Sequence, residues 1–309
     1  MTATIETGGL GKDFGPVRAL DALDLRVAAG EFFGLLGPNG AGKTTTINLL
    51  ATLAVPTRGW ARVAGHDVSA EPLAVRRRIG LVFQTTTLDL ALTAEENLRF
   101  VARLYGLNRR AAAHRAREAL ELFDLADRRG DVVRGFSGGM RRALDVARAV
   151  MHRPAVLFLD EPTSGLDPVQ RRRVWQLLRR LREEVGTTIL LTTHRLEEAD
   201  PCDHVAFLDG GRMIASGSPQ ELKRGLGEQL VEVEGAADEE AVGVALQRLS
   251  GRYGNDGAVL WAPLPAHSVD LEAVREAAGP QARVTVRAVT LEDVFVALAA
   301  RPELQSVSP

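Results

Sequence analysis

The segment Gly37-Pro38-Asn39-Gly40-Ala41-Gly42-Lys43-Thr44 constrains this chain more than any other. It is a complete G-x-x-x-x-G-K-[ST] loop, and its flanks supply the context such a loop needs. The apolar run Phe32-Phe33-Gly34-Leu35-Leu36 reads as a buried strand entering it, and Thr45-Thr46-Ile47-Asn48-Leu49-Leu50 reads as a helix leaving it. Such a loop turns backbone N–H groups inward around phosphates, and the helix N-terminus adds its positive dipole end to the same anion. Lys43 is expected to reach the β- and γ-phosphates of a bound triphosphate, and Thr44 a magnesium ion.

Several classes are excluded. At 309 residues the chain has room for about two domains. Its 45% hydrophobic and 25% charged residues are those of an ordinary globular protein. No stretch approaches the roughly 20 apolar residues that cross a bilayer. A net charge of −2 gives no overall pull toward nucleic acid. The start, Met1 to Thr7, has neither the basic nor the apolar part of a secretion signal. Cys202 is the sole cysteine, so no intrachain disulfide forms, which fits a reducing cytoplasmic setting. Arginines cluster at Arg171 to Arg173 and Arg179-Arg180, but Val174, Leu177, Leu178 and Leu181 mark an apolar stripe on the same helix. Those arginines are expected to coat its solvent face.

Residues 1 to about 30 alternate polar and apolar around Gly15-Pro16 and Ala29-Gly30, which suggests an antiparallel strand layer; Trp60 to Val68 reads as a hairpin in that layer. Residues 89 to 152 are almost wholly helical in pattern, an insert between strands. From Ala155 to about Ile214 apolar strands alternate with helices, which implies a parallel sheet with helices on its faces. Composition shifts near Lys223 to Gly227, and the remainder reads as a small α+β appendage.

Two further segments carry chemistry. Ala155 to Leu159 is an apolar strand ending in Asp160-Glu161. In a phosphate-loop protein the first acid at such a strand end holds magnesium. Successive strand residues point opposite ways, so Glu161 is aimed elsewhere and is suited to take a proton from attacking water. In Phe136-Ser137-Gly138-Gly139-Met140, Ser137 can cap the helix that follows, and the glycines leave its first N–H groups open to an anion.

With these motifs in this order the chain resembles the ATP-binding subunit of ABC transporters, whose signature is usually Leu-Ser-Gly-Gly-Gln. Phe136 stands for the leucine and Met140 for the glutamine, so one amide is lost. The resemblance implies an α/β fold over residues 1–225: a P-loop ABC ATPase domain with a RecA-like parallel-sheet core, an antiparallel β layer and the helical insert at about 89–152. A C-terminal α+β domain is expected over 226–309. Residue by residue, the resemblance implies that Gln84 touches magnesium and relays nucleotide state, joining Thr44 and Asp160 at the metal. It gives catalysis to Glu161, Gln84 and the switch residue His194, and adenine stacking to Phe14. The loop from Gly37 to Thr44, with Thr45, holds the ATP; Asp167 of Ser164-Gly165-Leu166-Asp167 lies at the dimer seam. Ser137, Gly138, Gly139 and Met140 close over ATP held by a second copy. ATP, Mg2+, a homodimer and a separate integral-membrane permease, with the chain on the cytoplasmic face of the membrane, all follow from the same likeness. His66, His114, His152, His204, His267 and Cys202 are expected to be structural.

Thr290 to Leu298 is similar to the closing segment of drug-export subunits of the daunorubicin-resistance type, which points to export of a hydrophobic drug or antibiotic. Alternatives stay open: import, export of lipid, polysaccharide or sodium, or a soluble ABC ATPase acting on ribosomes or DNA. One motif set in the chain disfavours the last.

Overall fold

A computed structural model describes residues 3–255, 257, 259–264 and 271–299. Strands β1 (Ala3–Phe14), β2 (Val17–Leu23) and β3 (Arg26–Ala28) lead into β4 (Phe32–Leu36), the phosphate loop and helix α1 (Lys43–Leu50). Then come β5 (Arg58–Val63), β6 (His66–Asp67), α2 (Pro72–Arg78) and β7 (Ile79–Val82). Helices α3 (Ala94–Leu104), α4 (Arg109–Leu122) and α5 (Gly138–Ala149) follow, and then β8 (Val156–Asp160), α6 (Pro168–Val185), β9 (Thr188–Thr193), β10 (His204–Asp209) and β11 (Arg212–Gly217).

Every residue of β4, β8 and β9 is buried, the mark of strands covered on both faces. They form the middle of a six-stranded sheet in the order β11-β10-β4-β9-β8-β7, with parallel pairing from β10 through β7. A second sheet, β2-β1-β5-β6 with β3 also on β1, is antiparallel. Helix α1 lies between the two: Ile47, Leu49 and Leu50 share one buried cluster with Ile5, Leu10 and Val27 of the antiparallel layer and with Phe158 and Leu190 of the parallel sheet. Each such side chain contributes about 2 kcal/mol, so the helix leaving the phosphate loop is fixed from both sides.

The insert helices begin at side-chain caps. Thr93 and Glu96 form a capping box on α3, Asn108 caps α4 and Ser137 caps α5. Helix α6 buries Val174, Trp175, Leu177, Leu178 and Leu181 and ends at Gly186 in the left-handed conformation. Arg172, Arg173 and Arg179 are exposed, while Arg180 donates to the Leu122 carbonyl at 3.0 Å.

A second compact unit comprises residues 196–201 and 215 onward. It contains α7 (Pro219–Leu226), β12 (Gln229–Glu234), α8 (Glu239–Ser250), β13 (Gly254–Asn255), β14 (Val259–Leu264), α9 (Glu272–Ala278), β15 (Arg283–Ala288) and α10 (Leu291–Ala299). The sheet order β13-β14-β12-β15, all antiparallel, with α8 and α9 as crossovers, is the β-α-β-β-α-β arrangement. Val231, Val233, Val242, Leu246, Leu260, Ala262 and Val274 fill its core. The unit starts ahead of the composition shift near Lys223 because α7 and the turn at Leu196–Ala199 both pack on α10, and Lys223 Nζ donates to Asp200 at 3.0 Å.

Candidate active site

Glycine shapes the loop between β4 and α1. Gly37 and Gly42 have φ of 150° and 103°. A Cβ at Gly37 would stand 2.1 Å from the Leu208 carbonyl oxygen, and one at Gly42 2.7 Å from that of Ala19. No side chain fits at either place. Gly42 precedes α1 without any side-chain cap, so the first N–H groups of α1 are left to an anion. Lys43 is buried, and its Nζ donates to the carbonyls of Gly37 at 2.7 Å and Pro38 at 2.9 Å. Burial pushes the Lys43 ammonium down from its ordinary value, while the Glu161 and Asp160 carboxylates oppose the shift.

A cleft of about 410 Å³ opens over the loop, lined by Asn39, Gly40, Gly42, Lys43, Thr44, Thr45, Gln84, Glu161, Ser164 and His194. Residues distant in sequence meet in it. Glu161 Oε2 accepts from Gln84 Nε2 at 3.1 Å, and His194 Nδ1 lies 3.0 Å from Glu161 Oε1. Asp160 sits beneath, 6% exposed; its Oδ1 accepts from Thr44 Oγ1 at 3.2 Å and from Thr192 Oγ1 at 2.6 Å. The two acids do face different ways, but for a reason beyond strand alternation. Strand β8 ends at Asp160, and Glu161 takes a left-handed backbone with φ of 46°. For a non-glycine residue that conformation costs on the order of 1 kcal/mol. It is held by Glu161 N–H donating to Thr192 Oγ1 at 3.0 Å.

Thr192 and Arg142 escape a reading of the sequence. Thr192 is wholly buried and joins both acids through one hydroxyl. Arg142, 7% exposed, spends its guanidinium on the carbonyls of Phe83, Asp160, Glu161 and Pro162. The only hint in the sequence is Thr192-Thr193 before His194; Arg142 is one arginine among many.

Other expected positions lie outside the cleft. Phe14, at the end of β1, is 53% exposed with Lys12 Nζ 5.1 Å from its ring centre. Ser137 accepts from the Met140 N–H at 3.2 Å, and with Gly139 and Met140 lines a separate recess of about 380 Å³ beside Gln170. Asp167 caps α6, accepting from Val169 and Gln170 N–H at 2.9 Å. Among the described residues, the Ser137 segment and Asp167 do not line the cleft over the chain's own phosphate loop. His66, His114 and His204 pair with Glu71, Glu118 and Glu31, His152 stacks on Tyr105 at 3.8 Å, and Cys202 is buried. His267 lies outside the described residues.

Residues 20–164 match the family model described as ABC transporter. The chain is 43% identical over 311 residues to the daunorubicin/doxorubicin resistance ATP-binding protein DrrA of Streptomyces peucetius, spanning 97% of this chain and 94% of that protein. The chain belongs to the ABC transporter ATP-binding family. This ABC protein is also 46% identical to daunorubicin resistance ATP-binding protein DrrA3 of Streptomyces coeruleorubidus, over 95% of each chain. It is 41% identical to Nod factor export ATP-binding protein I of Cupriavidus metallidurans, over 97% of this chain and 99% of that one. Among solved structures, the ADP conformation of the cassette MJ1267 superposes with a TM-score of 0.65 at 26% identity, covering 72% of this chain and 93% of that one. The dimeric post-hydrolysis state of MJ0796 bound to ADP and Pi gives 0.63 at 28%, over 69% and 98%. The ABC protein is thus a nucleotide-binding, ATP-hydrolysing enzyme with the P-loop ABC ATPase fold. Among its described residues no helix is long and apolar enough to cross a membrane.

Proposed function

We propose that this ATPase powers efflux of a hydrophobic drug or antibiotic through a separately encoded permease at the cytoplasmic face of the membrane. The observation that carries the reading is the reach of its likeness: relatives named for daunorubicin resistance match it through the second unit, beyond the shared cassette. The Nod factor export relative, matched over 99% of its length, supports a second reading in which the cargo is a different exported molecule.

The donors near the loop suit magnesium. Thr44 and Asp160 bring two hard oxygen groups within 3.2 Å of each other. That is the sparse protein shell of an ion whose other ligands are phosphates and water. Thr44, Asp160 and Gln84 would hold it, and the ion when bound neutralises charge on the β- and γ-phosphates. The loop N–H groups and Lys43 cradle the phosphates. Glu161 accepts a proton from the attacking water. Gln84 and His194 fix its two oxygens from opposite sides. Phe14, exposed at a strand end, stacks on adenine.

Two copies complete two sites. Ser137, Gly138, Gly139 and Met140 of each chain close over the triphosphate held by the other, with Asp167 at the seam, so loss of the γ-phosphate removes a contact made only in the closed state. Phe83, beside Gln84, and Phe100 and Leu104 on α3 are exposed apolar side chains suited to a permease.

The test is drug accumulation in a sensitive host. Co-expression with the permease encoded nearest to it should lower intracellular daunorubicin-type drug only when the ATPase is intact. Unchanged drug levels together with export of a lipid or polysaccharide would favour the second reading.

A further inference from the structure

Helix α5 begins at the Ser137 segment, and three of its residues, Arg142, Asp145 and Arg148, recur every third position on one face. All three reach the loop that carries Gln84. Ahead of Gln84, Arg142 Nη1 donates to the Phe83 carbonyl at 2.6 Å. Beyond it, Arg148 donates to the Thr87 carbonyl at 2.6 Å and to the Thr87 hydroxyl. Asp145, 2% exposed, accepts from Thr87 N–H at 3.4 Å and lies 3.4 Å from Arg148. The same Arg142 guanidinium holds the end of β8: Nε donates to Pro162 O at 2.6 Å, and Nη2 to Glu161 O at 2.8 Å and Asp160 O at 3.2 Å.

We infer that Arg142 is a positioning residue that ties the Ser137 helix to both Gln84 and Glu161, so that a nucleotide seated on that helix by a second copy sets the geometry of this chain's own hydrolytic residues. The inference rests on the reading of Glu161 and Gln84 given above. It follows from rigidity. A planar fork that satisfies four carbonyls on two separate segments allows neither segment to shift alone, whereas an ammonium on a flexible stem cannot reproduce the fork. The left-handed turn at Glu161 needs such a hold, because its carbonyl and the next one are both bound by Arg142.

The test uses the purified full chain. Arg142→Lys should lower kcat on the order of 10²-fold, as a displacement of about 1 Å at reacting groups does, with KM for ATP and affinity for a fluorescent ATP analogue within about threefold of wild type. Arg148→Lys, at a partly exposed position, should show the same split with a loss of about fivefold. Combined with Gln84→Ala, Arg142→Lys should cost little more than the worse single variant; independent residues would multiply their losses. Wild-type kcat in both arginine variants, equal losses in kcat and nucleotide affinity, or multiplicative losses with Gln84→Ala would overturn the inference. Glu161→Gln separates the two levels. Full turnover in that variant removes the reading of the site itself, whereas an inactive Glu161→Gln beside a fully active Arg142→Lys removes this inference alone.

Discussion

Thr192→Val removes one hydroxyl from the centre of the site and keeps the side chain's shape. The hydroxyl donates to Asp160 Oδ1 at 2.6 Å and accepts from Glu161 N–H at 3.0 Å, and the residue is 0% exposed. Losing a hydrogen bond to a carboxylate costs about 2 kcal/mol, and leaving the part-buried Glu161 N–H without a partner costs a further 1 kcal/mol or so. For a unit of roughly two hundred residues, about 3 kcal/mol lowers Tm by roughly 6–12 °C. Thr192→Ser is the control. It keeps both bonds and loses only a buried methyl, so it should cost about 1 kcal/mol, or roughly 2–4 °C. Differential scanning calorimetry of the three proteins reads the difference directly. Melting of Thr192→Val within 2 °C of wild type, on the scale of roughly 2–4 °C per kcal/mol, would refute the argument. So would equal losses in the valine and serine variants.

Other outcomes follow from the same geometry. Lys43→Ala should weaken ATP binding at least about tenfold by equilibrium dialysis, since it removes the cation inside a desolvated loop; unchanged affinity would count against the phosphate loop. Gly42→Ala should abolish nucleotide binding or folding, because its φ of 103° and the Ala19 carbonyl 2.7 Å from the new Cβ leave no room; a soluble, ATP-binding variant would contradict this. In the second unit, Arg287 donates to Glu232 and Asp293 at 2.5–2.9 Å; burial pushes the Asp293 carboxyl up, but the hydrogen bonds from Arg287 and Thr290 outweigh it and hold the group below the usual carboxylate range. A depressed carboxyl stabilises above its unfolded value, and that stability is lost as pH falls through the folded one, so acid sensitivity belongs below about pH 4. Arg287→Gln should flatten that acid limb while lowering stability at pH 7; an unchanged acid limb in chemical denaturation would contradict it.

The phosphate loop and the Asp160-Glu161 strand end were legible because their chemistry is local: glycines, a lysine and a hydroxyl at fixed spacing, then acids after an apolar run. The helix cap by Ser137 was legible for the same reason, since it reaches only to Met140. What joins distant segments was not legible. Arg142 meets Phe83 and Glu161 across folds of the chain, and nothing near it in sequence marks it out from the exposed arginines of α6. The left-handed turn at Glu161 was invisible because Glu has no preference for it; the Thr192 hydroxyl and the Arg142 fork impose it from elsewhere. In the second unit, alternating strands and helices could be read, but not the order β13-β14-β12-β15, which depends on pairings between segments far apart. The composition shift near Lys223 marks the passage from α7 to β12, whereas packing of α7 on α10 decides where the unit begins.

The most direct test of the account is Glu161→Gln in the purified chain, with bound nucleotide counted and mass measured by light scattering in the presence of magnesium and ATP. The account predicts two uncleaved ATP molecules held in a stable dimer and no phosphate release. Wild-type phosphate release, or a monomer that binds no ATP, would contradict it.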